Sequence, residues 1–220
     1  MTKPGNREIV AALLERHGRP HAEDLGIDVG KNTPSPLFEL VCASLLFSAR
    51  IDAAIAAEAM ANLRRRGWKT AEKLADASWE ERVEALNEAG YTRYQERTST
   101  MLGETSQALL DRYGGDLRRL RDEAGRDPKD ERKLLKEFKG LGEVGVDIFF
   151  REVQAAWSEI APFADSRALD AARRLGLGGD AEKLADLVDA GDFPRLVAAL
   201  VRTELDDDYD AVRERAREES

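Results

Sequence analysis

The chain has 220 residues, enough to bury a real core as one large domain or two small ones. Apolar residues make up 42% and charged residues 35%, a balance that suits helices with many solvated faces and leaves no apolar run long enough to cross a bilayer. A single cysteine, Cys42, excludes an internal disulfide, and a net charge of −9 gives no general attraction to a polyanion.

Read in chain order, the sequence predicts helices and no strand, because Ala, Leu, Glu and Arg dominate and the β-branched residues are dispersed. Ile9, Leu13 and Leu14 mark a first helix that Gly18 and Pro20 end. A loop through Gly30 and Asn32 leads to Pro34 and Pro36, which open an apolar helix ending near Phe47. Ile55, Ala59, Met60 and Leu63 share the face of another helix before Gly67. Thr70 caps a short helix holding Leu74, and Ser78 with Glu81 reads as a capping box ahead of Val83 and Leu86. Gly90 ends that helix.

A long helix is expected from about Thr92 to Tyr113, stopped by Gly114 and Gly115, and another from about Lys129 to Phe138. Three more follow around Ala168 to Leu175, Ala181 to Ala190 and Pro194 to Leu205. Charge is uneven. From Glu204 to Ser220 eight acids face three arginines, so residues 206–220 are expected to be an acidic tail, as a surface helix or disordered. From Arg112 to Lys139 ten bases face seven acids. The first sixteen residues lack a signal-peptide pattern, so a cytoplasmic protein is expected, nucleoid-associated if bacterial, with no membrane partner.

The most informative stretch is Phe138-Lys139-Gly140-Leu141-Gly142-Glu143-Val144-Gly145-Val146-Asp147. It joins two helical patterns. Gly140 and Gly142 allow a tight turn, Leu141 can anchor it, and the following amides open a helix where an anion such as a DNA phosphate is favoured. A plain helix connection with a glycine C-cap accounts for the same pattern.

With its surroundings, this stretch resembles the turn of the helix-hairpin-helix DNA glycosylases of the endonuclease III superfamily. Phe38 to Arg50 looks like the helix that opens the six-helix barrel of that family. Gly90-Tyr91-Thr92-Arg93-Tyr94 looks like the turn before its long helix, and Pro162-Phe163-Ala164-Asp165 falls where the family keeps its aspartate. The run from Gly140 through Asp165, with Asp147 and Trp157, most resembles the methyl-CpG-binding thymine DNA glycosylase. The resemblance covers roughly Pro36 to Leu177.

Two departures stand out. The bifunctional members carry a nucleophilic lysine where this chain has Val144, and Lys136 and Lys139 precede the turn. Many members hold an iron–sulfur cluster on four cysteines, which Cys42 alone cannot replace. The resemblance therefore implies an all-α, two-lobed fold without a cluster. Residues 36–158 would form the barrel lobe, residues 1–35 with 159–205 the second lobe, and DNA would lie between them.

The implied activity is monofunctional hydrolysis of the N-glycosidic bond of a damaged or mismatched base in double-stranded DNA, by a monomer. Asp165 would be the catalytic carboxylate, although its place before Ser166-Arg167-Ala168 also suits a helix N-cap. Gly140, Leu141, Gly142, Glu143, Val144, Gly145 and Lys139 would meet DNA, with a monovalent cation at the turn as in relatives. Arg50 is a candidate to fill the gap left by a flipped base or a plain surface arginine, and Asp147 is a secondary candidate. No metal site is expected elsewhere, and Tyr91, Tyr94, Trp157 and Cys42 read as packing residues. The rival reading is a non-catalytic DNA-structure-binding protein that keeps the hairpin, and a protein-interaction scaffold is a third.

Overall fold

The computed structural model describes residues 4–218, and every regular element among them is helical. In chain order the helices are α1 (Asn6–His17), α2 (His21–Asp24), α3 (Pro34–Phe47), α4 (Ala53–Arg65), α5 (Ala71–Asp76), α6 (Trp79–Glu88) and α7 (Gln95–Tyr113). They continue as α8 (Leu117–Glu123), α9 (Pro128–Leu135), α10 (Glu143–Val153), α11 (Ser166–Leu175), α12 (Ala181–Ala185), α13 (Phe193–Asp206) and α14 (Tyr209–Glu218). The chain divides into two compact units: Leu25–Glu159, and the residues up to Asp24 together with those from Ile160 onward.

The continuous unit is organised on α3. Every residue from Pro36 to Leu46 is buried, including Glu39 and Ser44, so this helix has no solvated face and must be wrapped on all sides. Helices α4, α7, α8 and α10 pack on it, while α5 and α6 pack on α7. Pro34 and Pro36 sit at its start, where a missing N–H costs nothing, and Ser44 returns its hydroxyl to the Leu40 carbonyl at 2.7 Å. The Ser78–Glu81 capping box forms as its spacing predicts.

One buried cation also shapes this unit. Arg82 reaches inward from α6 and donates to the carbonyls of Ser99, Leu74 and Ala77 at 3.1, 3.1 and 2.5 Å. A Cβ at Gly103 would stand 2.5 Å from Arg82 Nη2, so the glycine inside α7 makes room for the guanidinium.

Residues 25–35 cluster with this unit, whereas the sequence pattern, with its boundary at 36, puts them in the other lobe. Ile27 and Val29 are buried, and Asn32 Oδ1 accepts a 3.0 Å hydrogen bond from the fully buried Trp157. Helix α8 has no counterpart among the sequence-predicted elements. Its Leu117 and Leu120 are buried and Asp116 caps it, but the surrounding arginines conceal that short apolar pair. Helix α7 begins at Gln95 and α9 ends at Leu135, each shorter than the periodicity suggests.

The discontinuous unit has its own core from α1, α11, α13 and α14, built on Leu13, Ala172, Leu196, Leu200 and Val212. The acidic segment 206–220, expected to be a tail as a surface helix or disordered, forms helix α14 through Glu218, and that helix is docked rather than a free tail. Tyr209, Val212 and Ala216, spaced three and four apart, are buried in this core. Its acids are counter-charges. Asp208 Oδ2 takes Arg16 Nη2 at 2.8 Å and His17 Nε2 at 2.7 Å, and Glu204 and Asp207 each take Arg174 at 3.2 Å. The apolar stripe of α14 is three residues wide, too narrow to register against eight acids.

Candidate functional site

The turn between α9 and α10 is shaped by two glycines with different tasks. Gly140 has φ of +93°, and a Cβ there would stand 2.7 Å from Met101 Sδ of α7 and 3.2 Å from Leu45 Cδ1 of α3. Leu141 is buried, and its amide donates to the Phe138 carbonyl at 3.1 Å. Thr105 of α7 holds the turn from the side, its Oγ1 donating to the Lys139 carbonyl at 2.9 Å. Gly140→Ala combines a left-handed backbone with overpacking, so it should destabilise the protein by about 2 kcal/mol or more. Urea denaturation checks this, and a change under about 1 kcal/mol would show that the turn relaxes freely.

Gly142 is the opposite case. It is the extended N-cap residue of α10, with φ −85° and ψ −168°, and a Cβ would meet nothing within 4 Å. No side chain caps this helix. The amides of Glu143, Val144 and Gly145 donate to no acceptor among the described residues, so three unpaired N–H groups lie together at the positive end of an eleven-residue helix. Gly145 packs closely, since a Cβ there would stand 3.6 Å from the Ser44 carbonyl, while Val144 is 58% exposed. A large apolar side chain at this position brings no amine to the turn.

The charges around the turn are matched. Glu143 Oε2 accepts from Arg132 Nη1 at 3.0 Å, and its Oε1 is paired with Lys136. These partners, Lys136 first, hold the Glu143 carboxyl below its ordinary range. Arg132 also gives Nη2 to Asp147 at 2.8 Å and lies over the Phe150 ring at 4.8 Å. Arg132 of α9 and Lys136, the C-cap residue just after that helix, thus stand four positions apart, opposite Glu143 and Asp147 one turn apart on α10. The i,i+4 spacing within each helix is visible in the sequence, but the pairing across the turn is not. Lys139 pairs with Glu104 at 3.0 Å.

Arg50 lies exposed in the connection from α3 to α4 and forms no ion pair among the described residues. Asp165, in the other unit, is the N-cap of α11 and accepts from the Ala168 amide at 3.1 Å, as its position before Ser166 predicts. Tyr91 and Trp157 are core residues, Trp157 edge-on to Phe149 at 5.6 Å. Cys42 is buried in α3, where burial pushes its thiol up. Among the described residues no three His, Cys, Asp or Glu side chains converge as a metal-binding group, and no helix is long and apolar enough to cross a membrane.

This all-helical arrangement is of the endonuclease III type, consistent with an all-α glycosylase fold. A solved structure that resembles it is a trapped endonuclease III–DNA covalent intermediate, an estranged-adenine complex, matched with a TM-score of 0.51 over 76% of this chain and 73% of that one. Identity across the match is 18%, so the likeness is one of fold. No family model matches the chain, and no curated protein matches it.

Proposed function

We propose that the protein is a monofunctional DNA glycosylase, hydrolysing the N-glycosidic bond of a damaged or mismatched base flipped out of double-stranded DNA. The observation that supports it most is the uncapped turn at Gly142: three unpaired amides at a helix N-terminus, on an endonuclease III-type fold, suit a backbone phosphate. Asp165 would oppose the positive charge that develops on the sugar as the base departs. Arg50, exposed and without an ion pair among the described residues, would fill the space left in the stack. A monovalent cation at the turn would be held by the carbonyls of Gly140 and Leu141, which accept no hydrogen bond among the described residues, and would add positive charge beside the phosphate. With Val144 in the lysine slot and Cys42 as sole cysteine, neither a Schiff base there nor a chain-borne iron–sulfur cluster is part of the proposal.

A panel of lesion-bearing duplexes, treated with the protein and then with alkali, tests the reading. Strand breaks only after alkali support it, and no breaks on any lesion oppose it. The second reading, a DNA-structure-binding protein without chemistry, has in its favour that Asp165 already serves as a cap. A gel shift on the panel without excision would select it.

Gly142→Asp tests the turn itself. The position is open and its backbone is extended, so aspartate is tolerated there and is a preferred N-cap. Its carboxylate would take the amides meant for the phosphate and place a negative charge in their centre. The variant should be as stable as the parent or more so, yet bind duplex DNA at least roughly tenfold more weakly whatever the sequence. Unchanged binding at low salt would make the turn purely structural.

A further inference from the structure

The turn proposed to hold a phosphate contains its own anion, and that anion is paired with two nearby bases, one in α9 and one at its C-cap. Glu143 is the first residue of α10, half or more exposed, and its carboxylate takes Arg132 on one oxygen and Lys136 on the other. The two bases are not equivalent. Arg132 has further partners in Asp147 and the Phe150 ring, so it stays in place whatever Glu143 does. Lys136 has Glu143 alone as its partner among the described residues.

We propose that Lys136 is a DNA-phosphate ligand held in reserve by Glu143, an internal mimic that a phosphodiester must displace before the lysine can join the site. This rests on the reading of the turn as a phosphate site and deepens it. The physical argument is competition for one ammonium. Lys136 Nζ directed at the Glu143 carboxylate spends its charge inside the protein, and the same carboxylate lowers the positive potential at the unpaired amides of α10. An arriving phosphate therefore meets a neutralised turn. It gains full attraction only when the flexible lysine stem swings from the carboxylate to the phosphate oxygen. Resting affinity is thereby kept low for undamaged DNA, where no other contact contributes to displacing the acid.

The experiment measures binding of the full chain to a fluorescent duplex by anisotropy across a salt series. It uses the parent, Glu143→Gln, Lys136→Gln, the double variant and Gly142→Asp. Glu143→Gln should tighten binding by roughly three- to tenfold at low salt, and the slope of log affinity against log salt should steepen by about one. In the Lys136→Gln background the same Glu143→Gln change should give a clearly smaller gain, the part due to repulsion alone, and no steepening. An equal gain without Lys136 would mean that Glu143 acts only by repelling phosphate, and overturns the reserve role. Weaker binding of Glu143→Gln, with an unchanged melting curve, would show that the pair positions the turn, and also overturns it. Glu143→Ala, which cannot keep a neutral hydrogen bond to Lys136, must give the same gain if that melting curve shifts. Should Gly142→Asp bind as well as the parent, the phosphate reading fails first. Loss of binding in Gly142→Asp without a gain in Glu143→Gln leaves that reading standing and refutes this one.

Discussion

Asp165→Asn is expected to leave the protein folded and to reduce base excision by about two to three orders of magnitude, the loss typical when one main electrostatic group is removed from a reacting centre. Asparagine caps helices about as well as aspartate, and here it can keep the 3.1 Å acceptor bond to the Ala168 amide at the start of α11. The substitution thus separates the observed cap role of the carboxylate from the proposed catalytic one. Its cap function needs an oxygen, whereas opposing an oxocarbenium-like sugar needs a negative charge.

The matching change Asp147→Asn should cost much less. That carboxylate is committed to Arg132 and fixes α9 against α10. Single-turnover excision with a melting curve for each variant checks the pair. Near-normal excision by Asp165→Asn, with loss in Asp147→Asn, would reverse the assignment. Borohydride should trap no protein–DNA adduct in any variant, since Val144 has no amine. An adduct would point to another lysine and end the monofunctional proposal.

The second large effect is one of pH. Glu131 of α9 is fully buried, and neither of its carboxyl oxygens receives a hydrogen bond among the described residues. Its neighbour is Glu159, whose carboxylate is already engaged by Arg121 through Nε at 2.5 Å and Nη2 at 2.6 Å. Arg121 in turn lies over the Trp157 ring at 5.3 Å. Two adjacent carboxyls with one cation between them cannot both be charged cheaply. Burial and the neighbouring Glu159 carboxylate both favour the protonated form of Glu131.

Burial first, and then the proximity of Glu159, push the Glu131 carboxyl up from 4.5 to about 8. Between those values the unfolded chain has released a proton that the folded chain still binds, so stability falls as pH rises through the window and levels off above it. Glu131→Gln has no proton to lose, and its amide can donate to Glu159. The variant should match the parent near pH ~4.5 and exceed it at pH ~8 by about 3–5 kcal/mol. Urea unfolding at about pH 5 and about pH 8 decides it, and parallel behaviour of the two proteins would show that Glu131 is ionised without cost.

The elements that the sequence made legible are those whose signal is local. Prolines at the start of α3, the Ser78–Glu81 box, the glycines after α7 and the cap at Asp165 each act within four residues, and each appears where its spacing places it. What was hidden depends on partners far along the chain. Helix α14 was obscured because acids surround three apolar residues whose burial is decided by α1 and α13. Residues 25–35 look like a loop until Asn32 is seen to receive the Trp157 indole, 125 positions away. At the site, the glycine pattern announced a turn, but not that Gly140 is forced by Met101 and Leu45 while Gly142 is open. Nor did it reveal the pairing of Arg132 and Lys136 with α10, which needs the two helices side by side.

The interrupted make-up of one unit has a consequence for how the chain is made. Residues 25–159 are contiguous and can collapse on α3 as soon as they leave the ribosome, with all their partners at hand. Helix α1 emerges first but must wait for α13 and α14, nearly two hundred residues later, before Leu13 and Ala12 are covered. During synthesis its apolar stripe is therefore exposed for most of the time the chain is growing. A nascent chain stopped between Glu159 and Tyr209 would present a finished helical body with an uncovered apolar α1, the species on which chaperone capture or aggregation would act.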